Sequence, residues 1–287
     1  MAEGRETDSG RANEAPAVVR RPATDPELSG VQATAIIRAA HNGSTTTVPR
    51  LRSSGPFHLH RTQPRNGWAR VSVISAMCAP LGGDRLALDI TAEEHAKLEV
   101  STAAATIALP GATTAPATYD VRLTVADHAI LTWLPKPLIS VQNSTLHQTC
   151  TVHLAPTAAV ILREEQLLGR TPEPPGHLTM RLTVHRGGRP VLDQHTAYGG
   201  TAPAWDGPAV LGGYRATGQL LVVDPYLPCD HPPILIGDDP EAGHAVLTPL
   251  AQHPAYLVTA TARSLHDVGK LLDTALEHIK GMEPRST

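Results

Sequence analysis

Residues 178–193 read LTMRLTVHRGGRPVLD and contain the clearest structural signal in the chain. In this stretch Leu178, Met180, Leu182 and Val184 alternate with Thr and Arg, which is the period of a strand with one buried face. The sequence Arg-Gly-Gly-Arg at 186–189 follows and separates two β-like runs. The stretch therefore predicts a β-hairpin with a tight glycine turn.

The same alternation recurs along most of the chain and predicts an all-β fold. Further alternating runs cover residues 69–76, 86–90, 121–125 and 150–154. Turn sequences such as Gly82-Gly83-Asp84 and Ala126-Asp127-His128 separate them. The 26 prolines disfavour long helices, and aromatic residues make up only 3% of the chain. A core built from small aliphatic side chains suits many short strands in thin layers.

One segment near the C-terminus predicts a helix. Ser264 and Asp267 have the spacing of a capping box, Lys280 falls in the last turn, and Gly281 supplies a stop signal. Apolar residues recur between them at helical spacing: Leu265, Val268, Leu272, Leu276 and Ile279.

Composition and charge bound the domain organisation and the partners. Residues 1–28 are polar and charged, which predicts a disordered tail, and residues 29–287 are predicted to form a single β domain. The net charge of -3 does not suit a nucleic-acid-binding protein. No apolar run is long enough to span a bilayer, and the N-terminus has no signal-peptide pattern. Three widely spaced cysteines favour the cytoplasm over a disulfide framework.

Motifs for catalysis or tight metal binding are weak. The sequence has no nucleophile elbow, phosphate-binding loop or His-Glu-x-x-His. His58 and His60 share one strand face and could bind a metal ion, but a solvated strand face is the favoured interpretation. Cys229, Asp230 and His231 offer three ligand types, although a proline-flanked surface loop is the favoured interpretation.

Five short motifs in a fixed order resemble the UreD (also called UreH) family of urease accessory proteins. They are the turn Gly82-Gly83-Asp84, the Ser/Thr-rich strand from Ser101 to Thr106, the motif containing Trp133 and Pro135, the strand from Glu164 to Gly169-Arg170, and the strand–turn–strand from Arg181 through Pro190 to Asp193. The resemblance covers residues 31–280.

This resemblance implies a twisted, β-helix-like stack of sheets with few helices, one of them C-terminal. It also implies a non-enzymatic nickel metallochaperone scaffold that holds no tightly bound cofactor. The implied partners are the urease apoprotein, UreF, and the GTPase UreG through UreF, and nickel would pass through an internal water-filled tunnel. Two alternatives are a β-helical enzyme with paired carboxylates and a dedicated metal-binding protein.

By matching family positions, Asp84, Glu164 and Asp193 are the predicted tunnel acids, and Thr106 is a predicted polar lining residue. Gln194 is the alternative to Asp193. Isolated carboxylates suit a conduit, because a divalent ion must stay largely hydrated and must be bound weakly enough to leave. The simpler alternative for each acid is a carboxylate that faces solvent.

Overall fold

A computed structural model describes residues 30–282, apart from residues 201, 229, 238, 240, 241 and 252. The predicted disordered tail at 1–28 lies outside the described residues, and so does Cys229 of the Cys-Asp-His motif. The described part of the chain forms eighteen strands and one helix, so the prediction of a mainly β fold is confirmed.

The strands follow one another with short connections over most of the chain. Their bounds are β1 (Gln32–His41), β2 (Thr46–Arg52), β3 (Phe57–Arg65), β4 (Trp68–Ser75), β5 (Arg85–Ala92), β6 (Lys97–Thr102), β7 (Thr106–Ala108), β8 (Ala117–Val125), β9 (Ile130–Leu134), β10 (Leu138–Ser140), β11 (Thr145–Leu154), β12 (Ala159–Leu168), β13 (His177–Arg186), β14 (Arg189–Tyr198), β15 (Ala216–Val223), β16 (Ile234–Ile236), β17 (Gly243–Pro249) and β18 (Ala255–Ala262).

The strands form two sheets, and the chain alternates between them. The first sheet has the order β14-β13-β11-β8-β5-β1-β2. The second has the order β16-β17-β18-β15-β12-β9-β6-β4-β3, and in addition β10 pairs with β12 and β7 pairs with β10. From β4 to β13 successive long strands lie in alternate sheets. The central strands of both sheets pair in parallel: β1, β5, β8, β11 and β13 in the first sheet, and β4, β6, β9 and β12 in the second. This arrangement is a β-solenoid, as the resemblance implied.

The core lies between the two sheets and is built from stacked columns of aliphatic side chains. In the first sheet Ile90, Leu123, Val152 and Val184 occupy one column in register, and all four are buried. Each coil repeats the same inward position, so a small side chain gains contacts with the coils above and below it. Stacking explains how a chain poor in aromatic residues fills its core.

The predicted hairpin joins β13 and β14. The strands pair antiparallel, and Arg186 lies opposite Arg189. Gly187 and Gly188 have φ values of 54° and 76°, which is the backbone that a two-residue hairpin turn with two positive φ angles requires. The hairpin prediction is therefore confirmed, and β14 is the edge strand of the first sheet.

The C-terminal helix α1 (Leu265–Met282) packs on the outer face of the second sheet. Ser264 Oγ accepts a hydrogen bond from the Asp267 backbone N–H at 3.2 Å, which confirms the predicted cap. The helix continues through Gly281 to Met282, beyond the predicted stop. Gly218 allows the close approach of the helix, because a Cβ atom there would lie 2.6 Å from Val268 Cγ1.

We expect Leu272→Ala to destabilise the protein by about 2–5 kcal/mol, because Leu272 is fully buried between α1 and the second sheet. Urea unfolding followed by circular dichroism measures this change. Thr274→Ala, at an exposed position of the same helix, is the matched control and is expected to change stability by less than about 0.5 kcal/mol. Equal stability of the two variants would show that α1 does not contribute to the folded core.

Candidate functional site

The interior changes from apolar to polar toward the β14 edge of the first sheet. One inward column runs Leu86, Tyr119, Gln148, Met180 and Thr196. The next inward column runs Leu88, Val121, Cys150, Leu182 and Gln194. Both columns begin with leucine and end with a polar residue, so the last coils cannot form a wholly apolar core.

Glu164 faces these polar residues from the second sheet. Its side chain is buried, and it accepts hydrogen bonds from Gln148 Nε2 at 3.0 Å and from Gln219 Nε2 at 2.9 Å. Gln219 lies directly opposite Glu164 in the β12–β15 register, and Gln148 reaches across from the other sheet. Burial raises the pKa of Glu164, and the hydrogen bonds from the two glutamine amides partly oppose that increase.

A cavity of about 230 Å³ adjoins this carboxylate. Polar residues from both sheets line it, among them Gln166, Gln194, Thr196, Thr217 and Gln219. A small inner pocket of about 10 Å³ shares Met180, Gln194, Thr196 and Gln219 with it and reaches Glu164 and Cys150. Glu164 is the only acidic residue among the described residues that line the cavity and this inner pocket.

A second cavity of about 50 Å³ lies toward the N-terminal coils and contains the predicted lining residue Thr106. It shares no lining residue with the polar cavity. Tyr119 lines this second cavity, and it also lies near Cys150 and Glu164, whose charges add to the effect of burial in raising the pKa of Tyr119. Tyr119 therefore stands between the two voids.

Asp84 is buried, but it does not line either cavity. Its two carboxylate oxygens accept hydrogen bonds from the backbone N–H groups of Val31 and Leu81, each at 2.8 Å. Gly83, with φ of 93°, completes the turn. In this position the carboxylate ties the start of the first strand to the turn before β5.

Asp193 lies on the outer face of β14, with its side chain 51% exposed. It forms a two-point ion pair with Arg181, at 2.9 Å to Nε and 2.8 Å from Oδ2 to the terminal guanidinium nitrogen. Hydrogen bonding to Arg181 lowers the pKa of Asp193. The residue that faces the interior is its neighbour Gln194, because successive side chains of a strand point to opposite faces.

The other motif residues have contacts that indicate a structural role. Trp133 is buried in the column that also contains Val100 and Leu162, and Pro135 is half-buried just after β9. Gly169 has φ of 83°, and a Cβ atom there would lie 2.5 Å from the Glu173 carbonyl oxygen. Arg170 forms an ion pair with Glu173 on the surface.

The structure does not bring the three predicted acids together. Among the described residues, no group of three or more His, Cys, Asp or Glu side chains is placed to hold a metal ion. His58 and His60 share an exposed face of β3, as expected for a solvated strand. Sequence reasoning missed Gln148, Gln219 and Cys150, since their proximity to Glu164 depends on how the two sheets face one another.

The fold and this interior define a β-solenoid protein with a polar internal cavity beside one buried acid. Comparison with known proteins makes the class specific. Residues 31–280 match the model of the family described as UreD urease accessory protein. The chain belongs to the UreD family, and the prediction of an accessory protein that is not an enzyme is thereby confirmed.

Individual relatives agree with this assignment. The chain is 58% identical over 249 residues to urease accessory protein UreD 2 of Saccharopolyspora erythraea, a match that covers 86% of this chain and 87% of the relative. It is 50% identical over 255 residues to urease accessory protein UreD 3 of Streptomyces griseus, covering 87% and 97%. Among the described residues, no helix is both long enough and apolar enough to cross a bilayer.

We expect Asp84→Ala to destabilise the protein by about 2–4 kcal/mol, because it leaves two partly buried backbone N–H groups without this acceptor. The shift in the urea midpoint measures the loss. Asp193→Ala is the control, since it removes only an exposed ion pair that water and salt screen. An Asp84→Ala variant as stable as Asp193→Ala would contradict the structural role of Asp84.

The contribution of Glu164 to stability is expected to depend on pH. Because the folded-state pKa of Glu164 is raised, the unfolded chain ionises first as the pH rises above about 4.3, and this group then favours unfolding. Its contribution to stability is present below that pH and is lost as the pH rises through the raised folded pKa. We therefore expect Glu164→Gln to gain stability relative to the unsubstituted chain between pH 4 and neutral pH, in urea titrations at several pH values.

The matched control for this experiment is Glu277→Gln, which alters an exposed carboxylate on α1. Any pH dependence of Glu164→Gln beyond that of this surface variant is assigned to the buried Glu164 carboxylate. A stability difference for Glu164→Gln that is constant across the whole pH range would show that Glu164 ionises equally easily in the folded and unfolded states.

Proposed function

We propose that this chain helps deliver nickel to the urease active site, with the cavity beside Glu164 as part of the ion's route. In this proposal the chain binds the urease apoprotein and UreF, and UreF brings the GTPase UreG. Delivery takes place in the cytoplasm, and nickel is cargo rather than a resident cofactor. The names of the relatives support the connection to urease, and the geometry of the interior supports the route.

The observation that carries the proposal is the single buried carboxylate at the inner end of a polar cavity. A divalent ion loses much of its hydration energy in a low-dielectric interior, and a nearby negative charge offsets part of that cost. The glutamine and threonine side chains around Glu164 can replace some of the ion's water contacts. A volume of about 230 Å³ also holds several water molecules, so the ion can remain partly hydrated.

The nickel ion must bind weakly in the cavity as well as enter it. One acid surrounded by neutral amides attracts a cation but does not enclose it, which suits an ion that must leave again. A second carboxylate beside Glu164 would be needed for glycosidase-type acid–base chemistry, and the residues lining the polar cavity include no other acid. Tight stoichiometric nickel binding by the isolated chain would instead favour the dedicated metal-binding alternative.

The route through the whole solenoid includes a movement at Tyr119. This residue stands between the polar cavity and the cavity that contains Thr106. Its ring contacts Phe57, with ring centroids 5.8 Å apart, on the side of the second cavity. Rotation of the Tyr119 side chain would join the two voids, so that Thr106 and Glu164 would line one passage. Asp84 acts on this passage indirectly, by holding the turn before β5, and Asp193 lies on the outer surface.

The test is co-expression of the chain with urease and its accessory proteins, with urease activity and urease-bound nickel as the two measurements. We expect Glu164→Gln to lower both by a factor on the order of ten, since removing a buried charge is expected to cost the ion about 1.4 kcal/mol or more. Complex formation, measured by affinity purification, should be unchanged, because Glu164 is buried between the sheets.

Asp193→Asn is the matched control, since it neutralises an acid on the outside of the same solenoid. It should leave urease nickel content at the level of the unsubstituted chain. Normal nickel content with Glu164→Gln, in a complex that still assembles, would refute the role of this cavity in nickel delivery.

A further inference from the structure

Cys150 lies beside Glu164 at the inner end of the polar cavity. Its side chain is 2% exposed and points inward from β11, two residues along the strand from Gln148, which donates a hydrogen bond to Glu164. Cys150, Glu164 and the Met180 side chain line the same inner pocket. The thiol is free and buried. The interior therefore places one sulfur ligand and one carboxylate ligand on opposite walls of a narrow space.

The electrostatics are consistent with this proximity. Burial raises the pKa of the Cys150 thiol, and the negative charge of Glu164 raises it further. The two groups are therefore close enough to interact through the interior, and in the absence of a cation each disfavours the ionisation of the other. A divalent cation between them would reverse that balance, since it attracts both anionic forms.

The inner pocket also contains an unpaired buried acceptor. Gln194 Oε1 is inaccessible to solvent and has no hydrogen-bond partner in the described part of the chain. Gln194 occupies the same inward column as Cys150, separated from it by Leu182, and lines the same pocket. A buried acceptor without a donor carries a cost of about 1–3 kcal/mol, which a water molecule or a hydrated cation in the pocket would relieve.

We propose that Cys150 and Glu164 form a two-ligand site for a borderline divalent metal ion, with Gln194 contacting the ion's water shell. Binding displaces the thiol proton to water, so that the sulfur bonds to the metal as a thiolate. This inference rests on the proposed passage of nickel through the cavity and adds a chemical basis for selection. The inner pocket of about 10 Å³ accommodates the ion alone, and the ion's remaining water molecules occupy the adjoining cavity of about 230 Å³.

Such a site would distinguish nickel from magnesium and calcium. Carboxylate, amide and hydroxyl oxygens suit magnesium and calcium, whereas a thiolate favours nickel, zinc and other transition metals. A passage lined only with oxygen would therefore not distinguish nickel well from magnesium. One sulfur ligand adds a preference for nickel over magnesium. Because the protein supplies only two ligands, water occupies the remaining coordination positions and the ion is still able to leave.

The test uses the full-length chain with Cys78 and Cys229 both replaced by serine, which leaves Cys150 as the single thiol of the three. The probe is Co²⁺ alone, followed by absorption spectroscopy, because a cobalt–thiolate bond produces a charge-transfer band that oxygen ligands do not. We expect this band on titration, and we expect added Ni²⁺ to remove it while excess Mg²⁺ does not.

Two further variants in the same background, Cys150→Ser and Cys150→Ala, should abolish the band and weaken Co²⁺ binding at least about tenfold, a loss of one protein ligand worth about 1.4 kcal/mol. Urea unfolding identifies whichever variant keeps the native stability, and that variant is used for the comparison. Absence of the band in the chain that retains Cys150, or an unchanged band in the stable Cys150 variant, would overturn the proposal.

The outcome is separable from that of the proposed function. If the band is absent while Glu164→Gln still lowers urease nickel content, the thiolate site is wrong and the delivery route stands. If the band is present while Glu164→Gln delivers nickel normally, the thiolate site stands and the delivery route is wrong.

Discussion

The rest of the structure depends on the register between parallel strands of successive coils. Each inward position of one coil stacks on the same position of the next coil. A column is therefore either apolar along its whole length or changes from apolar to polar residues at a particular coil. The column of Ile90, Leu123, Val152 and Val184 is apolar throughout and holds the two sheets together. Stacked contacts of this kind allow leucine, valine and isoleucine to do what large aromatic residues do in other cores.

The neighbouring columns change from apolar to polar, and the proposed route depends on that change. Gln148, Cys150 and Gln194 occupy inward positions that would otherwise extend the apolar core. The buried Glu164 carboxylate is tolerated because Gln148 and Gln219 both donate to it, and an interior charge without such donors would cost several kcal/mol. The polar residues in these coils therefore reduce apolar burial between the sheets and create a polar space. On the outer face of the second sheet, α1 adds apolar burial.

Local patterns in the chain were enough to predict several individual elements. Alternation identified β13, the glycine pair identified the hairpin, and Ser264 with its downstream apolar positions identified α1, although the helix continues past Gly281. The order of the strands within the two sheets was not predictable from these patterns, because parallel pairing joins residues from different coils. The resemblance to the UreD family, by contrast, implies the solenoid from the sequence motifs.

The predicted site residues show where a sequence stops being informative. Glu164 is an inward acid, while Asp193 faces outward and its neighbour Gln194 faces inward, a difference of one residue on an alternating strand. By itself the sequence determined the strand periodicity, the turns, the helix and the family, since these depend on neighbouring residues. Only the tertiary structure decided that Asp84 binds two backbone N–H groups and that Cys150 lies beside Glu164, because both arrangements depend on which strands of a long chain come to face one another.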